Sequence, residues 1–465
     1  MSETTRDARH DRPAYGFYGD DFTGATDTLA HLARAGLRSM LFFAPPDAAR
    51  LSTLGRLDAV GVAGAARSMR AEEQQRELTL AGAALAALGV RIMHYKVCST
   101  FDSAPDTGSV GVAIRTLRQY CASPLVAVVG GQPNLRRYCV FGELFAAAGA
   151  DDEQQAIYRI DRHPTMSRHP VTPMNEADLR VHFRQQGVEN VQSIDWRCYA
   201  DGDDALHAEI QRRLDRGADA VLFDVLDDQH LKSIGRELRR RAAMSAPLLA
   251  VGASSVAQAY ALASDDESGS PRMPAKRFAP LARARGPVFV LAGSLSPLTA
   301  VQIGAAQSYL RVELDPLEMT GEGACGYLDS LVAAIADALR DGRHVLAFTT
   351  RRTAQAQEGN WNSGALARLA KVCATLLQRV LAAVKLERIG IAGGDTSSFA
   401  VRGLDAWGLS YLAPLSAGVT VCRLHADRAD LDGMEIMLKG GQMGDAELFE
   451  QLLDGYPRDS AGASG

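Results

Sequence analysis

Short apolar runs alternate with amphipathic stretches along this chain. In its first half, runs at 15–19, 38–43, 59–63, 92–97, 125–129, 157–160, 191–194, 220–224 and 248–251 are largely apolar or β-branched. Parallel strands buried on both faces read this way. Between them, 69–88, 109–120, 176–186 and 205–216 carry apolar residues at helical spacing. The pattern breaks at 264–286, which opens with Ser264-Asp265-Asp266-Glu267-Ser268-Gly269 and lacks apolar periodicity. It restarts at Pro287, with further strands expected at 311–314, 345–349, 388–391, 410–413, 419–424 and 435–438. One long helix is expected over 363–384, capped by Asn362 or Ser363. Alternating strands and helices predict an α/β fold of two domains. Each is expected to hold a mostly parallel sheet with helices on both faces, with ligands outside the carboxyl ends of the strands. The expected division is a disordered lead-in 1–12, a first domain 13–263, a linker 264–286, a second domain 287–456 and a disordered tail 457–465.

Composition narrows the class. At 465 residues the chain exceeds one ordinary domain. Its 47% hydrophobic and 23% charged residues are those of a soluble globular enzyme. A net charge of −5 without a basic block argues against nucleic-acid binding. No apolar run reaches membrane-spanning length, and the polar start lacks the apolar core of a secretory signal. Seven cysteines without a CxxC pair argue against a disulfide framework or structural zinc and fit a reducing cytoplasm.

Candidate chemistry gathers at strand ends. Asp20-Asp21-Phe22-Thr23-Gly24 lies between the run 15–19 and a helical pattern at 25–35. Two carboxylates, a hydroxyl and a glycine there could orient or deprotonate a substrate hydroxyl; a plain aspartate cap with a turn glycine is the alternative. Lys96 with Cys98, Ser99, Thr100, Asp102 and Ser103 leaves the run 92–97 and suits a polyhydroxy acid, or is simply a polar loop before a helix. Arg136 and Arg137 could clamp an anion, as could Arg162 on a long loop that also carries His163 and His169. That loop is read as one that closes over substrate, since no third metal ligand is visible.

Three glycine-rich turns mark the second half. They are Gly293-Ser294-Leu295-Ser296, Gly393-Gly394-Asp395-Thr396 and Lys439-Gly440-Gly441-Gln442-Met443-Gly444. Each joins an expected strand to an expected helix, so bare amides and hydroxyls could meet phosphates there. Together they read as a nucleotide site. Gly321-Glu322-Gly323-Ala324-Cys325-Gly326 matches GxGxxG but does not directly follow a strand, which argues against a dinucleotide-linked dehydrogenase. No Walker, protein-kinase, GxSxG or HExxH motif is present.

In order and spacing these motifs resemble the four-carbon acid sugar kinase family over about 14–449. The resemblance rests on the Asp20–Gly24 segment, Lys96 with Ser99 and Thr100, the stretch 161–174, and the three glycine turns with Thr299 and Gln302. It implies an ATP-dependent kinase, usually working with Mg²⁺, that phosphorylates a hydroxyl of a small acid sugar of the tetronate or 3-oxo-tetronate class, with the active site in the interdomain cleft. It implies Asp21 or Asp20 as the base, with Lys96 beside them. Thr23, Gly24, Ser99, Thr100, Arg136, Arg162 and His163 would bind substrate. Ser294, Ser296, Gly393, Gly394, Asp395, Thr396, Lys439, Gly441 and Gly444 would bind the nucleotide. Expected partners are the acid sugar alone, without nucleic acid or membrane; a homodimer is one possible assembly. Two departures stand out: an S-T-x-R-G arginine is missing after Thr100, and the usual K-S-G reads Lys439-Gly440-Gly441. The first leaves room for a different sugar, such as the branched 3-oxo-isoapionate. A nonenzymatic sugar-acid sensor would explain the first domain but leave the glycine turns unused.

Overall fold

The computed structural model describes residues 12–148, 156–169, 171–263, 278–349 and 363–455. The expected tail, most of the lead-in and the first part of the expected linker lie outside these residues. The chain clusters into two compact units, Met1–Arg277 and Phe278–Gly465.

The first unit holds β1 (Tyr15–Gly19), β2 (Ser39–Phe42), β3 (Ala59–Ala63), β4 (Ile92–Lys96) and β5 (Val126–Val129). Its later strands are β6 (Arg137–Val140), β7 (Glu143–Ala148), β8 (Ala156–Arg159), β9 (Val191–Ile194), β10 (Ala220–Phe223) and β11 (Leu248–Gly252). The main sheet runs β2-β3-β1-β4-β11-β5-β10-β9, with parallel pairing throughout. All five residues of β1 are buried, as are those of β3, β4 and β11, which explains the continuous apolar character of β1, β3 and β11. The chain passes from β1 outward to β2 and β3, then returns to place β4 on the other side of β1. This reversal opens a ligand crevice at the carboxyl ends of β1 and β4. Register aligns Gly19 with both Ala63 and Lys96, so the segments after these three strands leave the sheet at one level.

The helix Phe22–Arg34 follows β1 at once. Asp21 is its cap, in extended backbone, and His31 and Arg34 lie in the last turn, where positive charge suits the dipole. The strands β6-β7-β8 form a separate antiparallel sheet, of which the sequence pattern suggested only β8. β7 reads Glu-Leu-Phe-Ala-Ala-Ala, without β-branched residues, and so carries little strand signal. Its hairpin turns on Phe141 and Gly142, both left-handed at φ 53° and 82°. That is a type I′ pattern. The buried Asp224 carboxylate after β10 offsets the cost of a left-handed phenylalanine by accepting both turn amides, at 2.6 and 2.9 Å.

The second unit holds β12 (Val288–Ala292), β13 (Tyr309–Leu314), β14 (His344–Thr349), β15 (Arg388–Ala392), β16 (Gly408–Ser416), β17 (Val419–His425) and β18 (Glu435–Lys439). Their order is β13-β14-β12-β15-β18-β17-β16. The first five of these are parallel, and β17 and β16 continue the sheet antiparallel. Both sheets are thus mostly parallel with helices around them. The long helix spans Ser363–Ala383, and the expected cap Asn362 lies outside the described residues.

Candidate functional site

Each unit gathers the motifs singled out above at the carboxyl edge of its own sheet. In the first unit, Asp21 Oδ1 accepts the Gly24 amide at 2.6 Å and the Thr23 hydroxyl at 3.2 Å. Its other oxygen meets Arg67 Nη1 at 2.9 Å. Lys96 Nζ stands 3.7 Å from Asp20 and 3.8 Å from Asp21. The ammonium lies directly over the helix start, where a Cβ on Gly24 would come within 1.5 Å of Nζ. Gly24 is therefore required for close approach.

The loop after β4 closes the group. Thr100 donates to Asp102 at 2.6 Å, Cys98 Sγ lies 3.1 Å from the Thr100 hydroxyl, and Arg67 reaches Asp102 at 3.9 Å. Phe101 adopts a left-handed φ of 53° and packs its ring edge-on against Phe183. Ser99 is half-buried beside this loop.

The two adjacent aspartates differ in charge state. Burial raises Asp20 to a pKa of about 7; Lys96 opposes this and Asp21 adds to it. Its Oδ1 is buried without a hydrogen-bond donor. Burial also works to raise Asp21, but Lys96, Arg67 and the Gly24 amide outweigh it and hold this carboxyl at about 2. Asp21 is thus a fixed anion and cap, while Asp20 can exchange a proton near neutrality. Burial and Asp102 push Cys98 up to about 12, so its thiol stays protonated.

Other expected substrate residues lie differently. Both nitrogens of buried His163 meet backbone: Nε2 faces the Ala147 carbonyl at 3.2 Å, and Nδ1 accepts the amides of Thr165 and Met166 at 3.2 Å. His163 staples its loop, which corrects its expected role toward substrate. His169, on the same loop, interacts electrostatically with Asp102 instead. Arg136 ends a short turn with a left-handed φ of 58°, and Arg162 ends the turn Ile160–Arg162. Arg67, which sequence reading passed over, supplies a cation beside Asp21 and Asp102. The signal was available: Arg67 follows the buried run 59–63, and the other motifs also sit just past strand ends.

In the second unit, register aligns Ala292, Ala392 and Lys439, so the three glycine turns leave neighbouring strands side by side. They pack tightly. A Cβ on Gly293 would lie 2.2 Å from the Thr396 hydroxyl, and one on Gly441 2.7 Å from the Ser294 hydroxyl. Gly393 has φ 123° and caps the helix Gly394–Arg402 without a side chain, so no cap hydroxyl competes for the first-turn amides. Ser296 caps the helix Pro297–Ala305 and also donates to the Gly441 carbonyl. Gly444 turns at φ 84°. The side chain of Asp395 lies outside those described.

Lys439, expected to face phosphate, points inward. Its side chain is fully buried; Nζ donates to Thr299 at 3.0 Å and to Gln302 Oε1. Thr299 and Gln302 in turn hold the Gly441, Met443 and Asp445 carbonyls at 3.2, 3.1 and 2.8 Å. Lys439 thus pins the following loop from beneath, and burial pulls its pKa down to about 7. Among the described residues no group of three His, Cys, Asp or Glu could hold a metal ion, and no helix is long and apolar enough to cross a membrane.

Comparison with known proteins agrees with this division. Residues 15–260 match the family described as a sugar-binding N-terminal domain, and 289–449 match a nucleotide-binding C-terminal domain. A 3-oxo-isoapionate kinase from Paraburkholderia graminis is 36% identical, covering 94% of each chain. A 3-oxo-tetronate kinase from Methylobacterium radiotolerans is 30% identical, covering 95% of this chain and 99% of its own. A Haemophilus influenzae protein of known structure shares the fold at 20% identity, with a TM-score of 0.65 over 94% of this chain and 98% of its own. Two matched domains and full-length relatives together establish that the chain belongs to the four-carbon acid sugar kinase family.

Proposed function

We propose that the protein transfers phosphate from ATP, with Mg²⁺, to a hydroxyl of a small 3-oxo sugar acid. The observation that carries this reading is the Asp20–Lys96 pair: a carboxyl near neutrality, lacking a donor on one oxygen, beside a fixed ammonium. Asp20 accepts the proton of the attacking hydroxyl. Lys96 holds the hydroxyl and the developing charge, and Asp21 and Gly24 fix Lys96 in place. The glycine turns of the second unit pack against one another at the sheet edge, and the helix start after Gly393, which no side chain caps, leaves first-turn amides that fit a polyphosphate. Mg²⁺, when bound, would supply charge neutralisation for the transferred phosphate.

Among substrates, 3-oxo-isoapionate ranks first, because the relative bearing that name has the higher identity, and 3-oxo-tetronates second. The reading is tested by ADP release over a panel of these acids together with D-threonate and D-erythronate. ATP should also raise the melting temperature. A protein that neither releases ADP with any panel member nor is stabilised by ATP would be a sugar-acid sensor.

A further inference from the structure

Arg137 differs from Lys96 and Arg67, the two cations beside the aspartates. Lys96 and Arg67 each lie against carboxylates. Among the described residues, none lies within ion-pair distance of Arg137. Its Nη1 donates to the Leu135 carbonyl, and its Nε is buried without an acceptor. The residue is half-buried, so its charge is only partly solvated, and an acceptor at the unfilled Nε would be favourable.

Its position suits a ligand. Arg137 opens β6, just past the turn that leaves the carboxyl end of β5, on the edge of the parallel sheet where Asp20 and Lys96 also sit. Its guanidinium is in electrostatic reach of Cys98, beside Thr100 and Asp102, and Cys98 brings no charge to neutralise it. The mount is rigid: Arg137 and Gln132 exchange backbone hydrogen bonds at 3.2 and 2.9 Å. The Gln132 side chain then donates to Asp27 at 3.0 Å, on the helix that Asp21 caps.

We propose that Arg137, rather than Arg136 or Arg162, anchors the carboxylate of the sugar acid, its guanidinium fork pairing with both carboxylate oxygens. The proposal rests on the sugar-acid reading and adds the residue that reads the acid group.

The test compares Arg137→Met and Arg137→Lys with wild type, using 3-oxo-isoapionate and 3-oxo-tetronate as probes. In Arg137→Met, KM for the acid should rise on the order of 100-fold, with kcat and KM for ATP little changed. Arg137→Lys should fall between, since an ammonium keeps the charge but loses the fork. The ligand-free methionine variant should melt no lower than wild type, because it loses an uncompensated charge and not a structural ion pair. An unchanged KM for the acid, or a lower melting temperature with kcat falling alongside, overturns the proposal. If wild type releases no ADP with either acid, the kinase reading falls, and the acid-induced rise in melting temperature decides the anchor by itself. That rise should be present in wild type and lost in Arg137→Met; its absence from wild type, or an equal rise in both, overturns the anchor.

Discussion

The two units carry different chemistry at the carboxyl edges of their sheets. In the first, charged side chains meet: Asp20, Asp21, Asp102, Lys96 and Arg67 within ion-pair reach of one another. In the second, three glycine turns pack against one another, and their one lysine is drawn inward onto Thr299 and Gln302. Side chains with defined charge select one chemical group among many, and they respond to protonation. Backbone amides at glycine turns accept any polyphosphate of the right shape and have nothing to titrate. A sugar acid must be told from its neighbours in metabolism, whereas a nucleotide triphosphate mainly has to be held. On the function proposed above, the contrast between the units follows that difference in task.

The contrast can be broken most sharply at Asp20. Asp20→Asn should lower kcat by about 10²–10⁴-fold, the usual range for a lost general base. Wild-type activity should climb as pH rises through about 7, because the raised carboxyl must lose its proton to act. A full rate in Asp20→Asn, or a flat profile between pH 6 and 8, would transfer the role elsewhere. The same raised pKa removes stability as pH rises from the ordinary carboxyl range to about 7, so activity and melting temperature should move in opposite directions there.

A smaller effect is expected at Gly293. The Cβ of Gly293→Ala would meet the Thr396 hydroxyl and push two turns apart. Stabilisation by ATP should fall by roughly tenfold in apparent affinity, about 1.4 kcal/mol, while stabilisation by the acid sugar persists. Loss of both would mean that the units cannot be separated in this way.

The smallest effect concerns Lys439. Its folded pKa, about 7, lies below the ordinary lysine value, so the folded protein loses the proton before the unfolded chain does. Wild-type stability should therefore gain between pH 7 and 10, and Lys439→Met should lack this gain in its melting temperature. Equal slopes in both proteins would place the ammonium in contact with solvent or ligand, and restore the phosphate role first expected for it.

The strands and the motifs at their ends were legible because a strand buried on both faces must be apolar throughout, and the polar turn after it then stands out. Asp20, Asp21, Lys96 and all three glycine turns were visible on that ground. The hairpin β6–β7 was not, since an alanine-rich strand next to a turn held by a distant carboxylate leaves no local pattern. His163 and Lys439 were misjudged for a related reason. Polar residues beside a glycine turn look alike in sequence whether they face a ligand or staple the loop from below. Arg67 and Arg137 gained meaning only from what does or does not stand opposite them.

The sequence by itself determined the alternation of strand and helix, the motifs at the strand ends and, through their order, the family. These depend on near neighbours and on hydrophobic period, both of which are written locally. Only the tertiary structure decided which aspartate is held as an anion and which stays near neutrality, which lysine is a pin, and which arginine lacks a counter-charge. Those properties depend on the distances between residues far apart in the chain and on how completely each is withdrawn from water, and no local pattern records either.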